Sequence, residues 1–258
     1  MAAGDEFVPD WRDAEAYEPL LGADRSLFAW EWLRRDRNYR AAAERALDAG
    51  GREPSDPAEA PERWGLHAFE PPGRTVPHAT PVWSARVYPY VLGADAFPLA
   101  GDDVFDLERF RAISTLITTA DGAEHLLLSD GPRAIRLDVL AGTLRCGPAR
   151  LQHRLTGFAS AERPLLTLRR LLALRRAGRF CRSLHSREAR AKRWILMLRA
   201  HDALAAGGEQ REIAAVLLSS DAAEPRWRSR SPSVRTQVQR LVRGATHMAS
   251  DAYRQLLK

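Results

Sequence analysis

The hydrophobic residues of this chain change their spacing twice along its length. They repeat at helical intervals from Trp11 to Ala49 and again beyond Ser160, whereas between about Pro81 and Phe158 the period falls toward two. A spacing of 3.6 residues buries one side of a helix, and a spacing of two buries one face of a strand. We therefore predict an α+β fold with a small N-terminal helical region, a central small antiparallel β-sheet and a C-terminal helical bundle.

Two helices are predicted in the N-terminal region. Asp24 or Ser26 can cap a helix through LFAWEWLRR, because both side chains accept hydrogen bonds from free amides at a helix start. A second helix from Tyr39 to Ala49 ends at Gly50 and the glycine after it, and prolines and acidic residues follow. The predicted units are 1–60, an acidic and aromatic helical domain; 61–81, a Pro-rich linker; 82–158, a small antiparallel β region; and 160–258, a basic C-terminal domain.

Short runs of strand-forming residues fill the middle of the chain, and turn residues separate them. Asp121-Gly122 and Asp130-Gly131 favour tight turns between neighbouring antiparallel strands. A short helix is predicted at Asp106–Arg111. The predicted strands cover residues 82–88, 112–119, 124–129, 133–140 and 152–158.

The C-terminal region is predicted to be helical throughout. One helix follows Pro164 and ends at Gly178, and Ser186 is placed to cap a second helix that is apolar nearly all round its middle. A helix of that kind usually lies at the centre of a bundle. Two further helices are expected at Glu209–Leu218 and Pro232–Ser250.

The charge of the chain is concentrated at its C-terminal end. The whole chain carries a net charge of +6, but residues 165–258 contain 20 Lys and Arg against seven Asp and Glu, a net of +13. Residues 1–164 carry a net of −7. A basic segment of this size attracts polyanions, and nucleic acid is the first of them. The alternatives are a solvated basic face and a face that binds the acidic N-terminal part.

The last two predicted helices carry the sharpest functional signal. Ile213-Ala214 within the first resembles the first helix of a helix-turn-helix, in which these residues pack against the recognition helix. On the second, Val234, Val238 and Leu241 begin an apolar side, and the opposite side carries long polar side chains. Arginine can pair with guanine through two hydrogen bonds, and glutamine can pair with adenine in the same way.

The candidate DNA contacts come from both helices and from the segment between them. About twelve residues separate the helices, whereas a standard helix-turn-helix has a turn of three or four. The connection is therefore either an extended, basic element that contacts the DNA backbone or an ordinary exposed loop. The candidate residues are Gln210, Arg211, Arg228, Arg230, Ser231, Ser233, Arg235, Thr236, Gln239, Arg240 and Arg243.

Several phrases resemble a known proteobacterial family. RRLLALRRAGRF, KRWILMLRAHDALAAG and SPSVRTQVQRLVRGATHMASDAYRQLL look like its variant helix-turn-helix domain, which occurs in activators and antiactivators of integrative and conjugative element excision and transfer. FAWEWLRR and its neighbours resemble the small domain that precedes it in the two-domain, FseA-type activators. The resemblance covers about residues 8–45 and 130–258. It implies an activator of excision genes, an antiactivator partner, and DNA contact by the helix that begins at Ser231-Pro232.

Four large aromatic residues cluster in the N-terminal helices, namely Phe28, Trp30, Trp32 and Tyr39. A short helical segment with this much apolar surface cannot bury it alone. The set is a candidate protein-interaction site, for a second subunit or for RNA polymerase. The alternative is that it packs within the same molecule.

Other classes of chemistry find little support in the sequence. Cys146 and Cys181 give no disulfide framework and no zinc ligand set, and the seven histidines show no metal-ligand spacing. No Walker loop, dinucleotide fingerprint or nucleophile motif is present. We expect no metal, cofactor or catalytic activity. No run of residues is apolar enough to cross a membrane, and no secretion signal is evident, so a cytoplasmic location is expected.

The sequence thus predicts a regulator that binds double-stranded promoter DNA. Its candidate partners are an antiactivator, RNA polymerase and a second copy of the chain, in a homo-oligomer. The alternative is an antiactivator-like protein that uses the same helices to bind another regulator. If residues 1–60 form a separate activation domain, their deletion should leave DNA binding intact.

Overall fold

The computed structural model describes residues 8–48, 60–219 and 232–258. The α-helices are α1 (Arg25–Leu33), α2 (Arg37–Asp48), α3 (Glu162–Ala177), α4 (Ala191–Ala205), α5 (Gln210–Leu217) and α6 (Pro232–Ala249). The strands are β1 (Val91–Pro98), β2 (Ser114–Thr118), β3 (Glu124–Ser129), β4 (Ala134–Ala141) and β5 (Ala149–Arg154). Short 3-10 helices cover Glu15–Gly22, Pro61–Trp64, Leu107–Ile113, Arg182–Leu184 and Ala252–Leu257. The α+β fold class is confirmed.

The N-terminal helix starts where its capping residue predicts. The side chain of Asp24 accepts hydrogen bonds from the backbone amides of Ser26 and Leu27, at 2.9 and 3.1 Å. These amides have no partner inside the helix, so the cap satisfies two of the four free donors at the start of α1. In contrast, Ser186 does not begin α4, which starts at Ala191.

The five strands form one mixed sheet in the order β2-β3-β4-β1-β5. Three of the four pairings are antiparallel, as predicted, but β1 and β4 run parallel. The difference arises because the chain leaves β1, forms a 3-10 helix and the β2–β3 hairpin, and returns beside β1 in the same direction. Parallel neighbours require such a long crossover connection.

The strand predicted at residues 82–88 is wrong. This segment forms turns and has a single isolated bridge, between Leu66 and Trp83. Val82, Trp83 and Tyr88 are nevertheless buried, because the segment packs on the face of the sheet opposite α3. There the carbonyl of Trp83 accepts two hydrogen bonds from Arg136, at 3.1 and 2.9 Å. The first true strand is β1, and the sequence pattern did not indicate it.

The described residues form two large hydrophobic cores and a third, small cluster of Val82, Leu127 and Ala134. The smaller core lies between one face of the sheet and α3, and Leu171 and Leu174 of α3 lie within it. The larger core joins the N-terminal helices to α4, α5, α6 and the last 3-10 helix. Residues 61–81 also contribute to it, through buried side chains such as Trp64 and Val76. The two ends of the chain therefore fold around a common interior.

Candidate nucleic-acid interface

Helix α6 has one buried face and one polar face. Val238, Leu241, Ala245 and Met248 are buried. The predicted contact residues on this helix are all exposed, and they are Ser233, Arg235, Thr236, Gln239, Arg240 and Arg243. No Asp or Glu occurs between Pro232 and Ala249. The exposed face therefore offers positively charged and neutral hydrogen-bond donors to a phosphate, and it carries no acidic side chain that would repel one.

The buried face of α6 is held by α4 and α5. Ile213 and Ala214 of α5 are fully buried in the same core as Val238 and Ala245. A Cβ atom on Gly244 would lie 3.0 Å from Cε of Met197 on α4, so these two helices approach closely at the glycine. The predicted packing of Ile-Ala beneath the recognition helix agrees with this arrangement, which fixes α6 rigidly with its polar face outward.

The remaining predicted contacts divide between α5 and the segment that follows it. Arg211 is exposed and Gln210 is partly exposed, both in the first turn of α5. Glu212, the next residue, forms an ion pair with Arg12 of the N-terminal segment. Arg228, Arg230 and Ser231 lie outside the described residues.

The N-terminal segment is fastened to α4 directly behind this helix pair. The guanidinium of Arg199 donates to the carbonyls of Trp11 and Arg12, at 2.8 and 3.0 Å. The hydroxyl of Tyr17 donates to Oδ2 of Asp202 at 2.6 Å. Hydrogen bonds that involve buried, charged side chains thus join the two ends of the chain. Such hydrogen bonds are stronger than those between neutral groups.

A buried ionic network extends this contact into α1. Arg35 forms a two-pronged pair with Asp202, at 2.7 and 2.8 Å, and also bonds to Glu31 at 2.6 Å. Arg34 bonds to the same carboxylate oxygen of Glu31 at 2.7 Å. These four side chains are at most 3% exposed, and their two positive and two negative charges balance. Balance and hydrogen bonding are what make buried charges tolerable.

The pKa values of the two carboxyl groups reflect these partners. Burial by itself raises the pKa of Asp202, but the adjacent Arg35 guanidinium outweighs it and holds that pKa below its usual value. The pKa of Glu31 is likewise lowered, because Arg34 and Arg35 outweigh the effect of burial. Both groups therefore remain ionised at neutral pH. Sequence reasoning missed this network, although charges inside the apolar phrase FAWEWLRR were a visible signal for it.

The four aromatic residues proposed as a protein-interaction site lie inside the molecule. Phe28, Trp30, Trp32 and Tyr39 are at most 2% exposed. Phe28 packs edge-on against Trp194 of α4 with ring centroids 4.9 Å apart. Tyr39 packs instead against Trp64. The apolar surface that the N-terminal helices cannot bury alone is thus covered by α4 and by the segment that follows the N-terminal helices. This is the intramolecular alternative, and it leaves no surface of these side chains for a partner in this conformation.

Within the described ranges, one group of side chains has the composition of a metal site. His67, His125 and Asp138 present ligand atoms that all lie within 4.8 Å of one another. The two imidazole rings are stacked 3.4 Å apart, and Nδ1 of His125 lies 2.8 Å from Asp138. Nε2 of His125 lies 3.2 Å from Thr119, and Arg136 donates to the same oxygen of Asp138 at 2.9 Å. His125 and Asp138 are thus engaged in hydrogen bonds, which favours a packing cluster over a cation site. Nε2 of His67 is buried without a hydrogen-bond partner among the described residues, and its ring joins the cluster by stacking.

Comparisons with known proteins match both ends of the chain. Residues 152–258 match the family model of a T6SS transcription factor DNA-binding domain, and residues 10–67 match that of a proteobacterial transcriptional regulator-like domain. No curated protein and no solved structure matches the chain. No helix among the described residues has the length and apolar character needed to cross a bilayer. The two matched domains point to a non-enzymatic protein, and the chain is a DNA-binding transcriptional regulator.

Proposed function

We propose that this regulator binds double-stranded promoter DNA with the exposed face of α6 and activates genes for the excision and transfer of a mobile element. The observation that carries the DNA-binding part is the face itself. It contains three exposed arginines, two short hydroxyl side chains and a glutamine on a helix that has no acidic residue. Such a helix fits a major groove in width and offers donors to base edges and phosphates.

The proposal assigns different roles to the two ends of α6. Ser233, Arg235 and Thr236 lie in its first turns, where free backbone amides also favour a phosphate. Gln239, Arg240 and Arg243 lie further along, where a helix in the groove meets base edges. The first turn of α5, with Gln210 and Arg211, is placed as a second phosphate contact beside α6. In helix-turn-helix proteins the first helix crosses the DNA backbone in this way.

The activating role and the target genes are inferred from the resemblance of FAWEWLRR and of the C-terminal phrases to the two-domain activators. The order of the matched domains, regulator-like first and DNA-binding last, is consistent with that class. Genes of a T6SS are the other target class to be considered, since the matching family model carries that description. Capture of genomic DNA by the purified protein, followed by sequencing, distinguishes these targets.

Replacement of two arginines tests the placement of α6. We expect Arg240→Ala with Arg243→Ala to weaken DNA binding by about 10- to 100-fold. The slope of log K against log salt should also flatten, by about one for each of the two arginines that neutralises a phosphate and by less for one that pairs with a base edge. A gel-shift titration at several salt concentrations measures both quantities.

A matched control uses two exposed arginines of α3, Arg169 and Arg176, which face away from the sheet. Their replacement by alanine removes the same charge and should leave affinity within about threefold of the unmodified protein, since a distant charge acts only through the screened field. Equal losses in both double variants would show that net charge, not α6, determines binding. Absence of DNA binding together with binding to another regulator would favour the antiactivator-like alternative.

A further inference from the structure

The central sheet has two edge strands, and neither matched domain explains them. Among the described residues β2 pairs only with β3, and β5 pairs with β1 apart from one isolated bridge between its first residue, Ala149, and Phe105. Edge strands carry a row of unpaired backbone groups that invite pairing with another chain. Proteins usually protect such edges with charged side chains, bulges or a covering element.

The β5 edge is protected by charge. Arg150, Gln152 and Arg154 alternate along it and are exposed. If two copies paired along β5 in antiparallel fashion about Gln152, Arg150 of each copy would lie opposite Arg154 of the other. Like charges directly opposite one another destabilise a strand pair. The β5 edge therefore disfavours a second copy of itself.

The β2 edge, unlike the β5 edge, is not protected by charged side chains of its own strand. Ser114, Thr115, Leu116, Ile117 and Thr118 include no charged residue and are rich in β-branched side chains, which favour strands. All but the last are partly buried. Arg145 reaches the end of this strand, where it donates to the hydroxyl of Thr118 at 2.9 Å. The strand has the composition of an internal strand although it lies at an edge.

The register of the hairpin identifies which backbone groups are free. The amide of Thr119 donates to the carbonyl of Ala123, which lies in the turn toward β3. In an antiparallel pair, successive residues direct their N–H and C=O alternately toward one neighbour and the other. Ser114, Leu116 and Thr118 therefore direct theirs away from β3, toward the open edge.

We infer that β2 is a self-association edge, at which two copies of the chain pair antiparallel about a two-fold axis through Leu116. In this register Leu116 of each copy lies opposite Leu116 of the other, and Ser114 lies opposite Thr118. Every opposing pair is neutral, and each outward N–H meets an outward C=O. A two-fold contact of identical patches is the commonest form of homodimer. The inference does not depend on DNA binding.

The interface is small, so its strength is expected to be modest. A pair of five-residue strands buries less than the roughly 1,600 Å² of a standard stable interface. We expect a dissociation constant of about 10 µM, within the range of weak complexes. Sedimentation analysis of the full chain across this concentration range should show a monomer–dimer equilibrium. A protein that is entirely monomeric at about 200 µM would overturn the inference.

A cross-linking experiment tests the register. In a background of Cys146→Ser and Cys181→Ser, the variant Leu116→Cys places two thiols across the axis at a hydrogen-bonded position, where Cα atoms lie about 5.5 Å apart. This separation suits a disulfide. The matched control is Gln152→Cys, at the centre of the β5 edge. We expect mild oxidation to give covalent dimer from Leu116→Cys alone, and equal yields from the two variants would indicate random collision and reject the register.

A charge experiment tests the pairing without a covalent bond. Ser114→Lys with Thr118→Lys sets like charges opposite one another, and we expect the dissociation constant to rise at least about tenfold. Ser114→Lys with Thr118→Glu sets opposite charges there, and dimerisation should be retained. Circular dichroism and the thermal transition establish that both variants are folded. If the two double variants dimerise equally, β2 is not the interface.

Discussion

Arg35 and Asp202 join the two ends of the chain through an ion pair that is almost completely removed from solvent. Replacing Asp202 by Asn leaves the buried Arg35 guanidinium without its full counter-charge. We expect Asp202→Asn to lower the free energy of unfolding by about 3–5 kcal/mol, the usual cost of breaking a buried pair from one side. Urea denaturation followed by tryptophan fluorescence measures it.

The surface pair Arg111–Glu108 provides the control for that substitution. Its side chains are 80% and 70% exposed, so Arg111→Ala should cost less than about 1 kcal/mol. If Asp202→Asn costs no more than Arg111→Ala, the network does not fasten the two ends. The lowered pKa of Asp202 also means that the stabilisation by its ionised form is lost as pH falls through the folded-state pKa.

His67, like Asp202, makes the free energy of unfolding depend on pH. Burial, with the nearby His125 and Arg136, lowers the pKa of His67 from 6.5 to about 4. Between these two values the unfolded chain binds a proton that the folded protein does not, so stability falls as the pH falls from 6.5 to 4. We expect His67→Gln to remove about 2 kcal/mol of this pH dependence. Denaturation curves at pH 7 and pH 4.5 measure it, and parallel losses in both proteins would show that His67 does not contribute.

The elements that the sequence predicts well are those that carry a local signal in their own residues. α1 with its Asp24 cap and α6 with its apolar stripe are close to their predicted bounds, and β3 is at its predicted position. Each has a local signal, either a capping side chain, a turn pair or a 3.6-residue repeat. The residues on the exposed face of α6 could be predicted from that repeat alone.

The elements that the sequence does not predict are fixed by contacts between distant segments. β1 alternates in burial, but its sequence VLGADAFP contains Gly, Ala and Asp, which are poor strand formers, so the strand signal is weak. Residues 82–88 alternate like a strand, but Arg136 binds the carbonyl of Trp83 and holds the segment across the sheet. From the sequence, Phe28 and Trp32 are candidates for an exposed set because their ring partners on α4 are more than 150 residues away along the chain. Long-range packing overrides local pattern in each case.

The molecule as a whole is two matched domains that share one interior. The regulator-like match ends at residue 67 and the DNA-binding match begins at residue 152, yet their side chains form one core and the sheet lies beside it. Trp194 and Met197 of α4 lie in that core together with Phe28 and Leu33 of α1. Because α4 also supports α6, the N-terminal helices lie directly behind the helix that we propose to contact DNA.

Deletion of residues 1–60 is therefore expected to abolish DNA binding, contrary to the sequence-based expectation of a separable activation domain. The deletion exposes the apolar side of α4, and that loss of buried surface exceeds the stability of an ordinary domain. It also removes Arg35, the partner of Asp202. The shortened chain should show no cooperative thermal transition and no gel shift.

Deletion of residues 1–7 is the matched control, since it removes none of the contacts described above. We expect it to bind DNA as the full chain does, and to unfold cooperatively. If the longer deletion also retains a cooperative transition and the salt slope of the full chain, then the common core is dispensable and α4 holds α6 unaided. If only the longer deletion fails, the N-terminal helices are part of the DNA-binding unit.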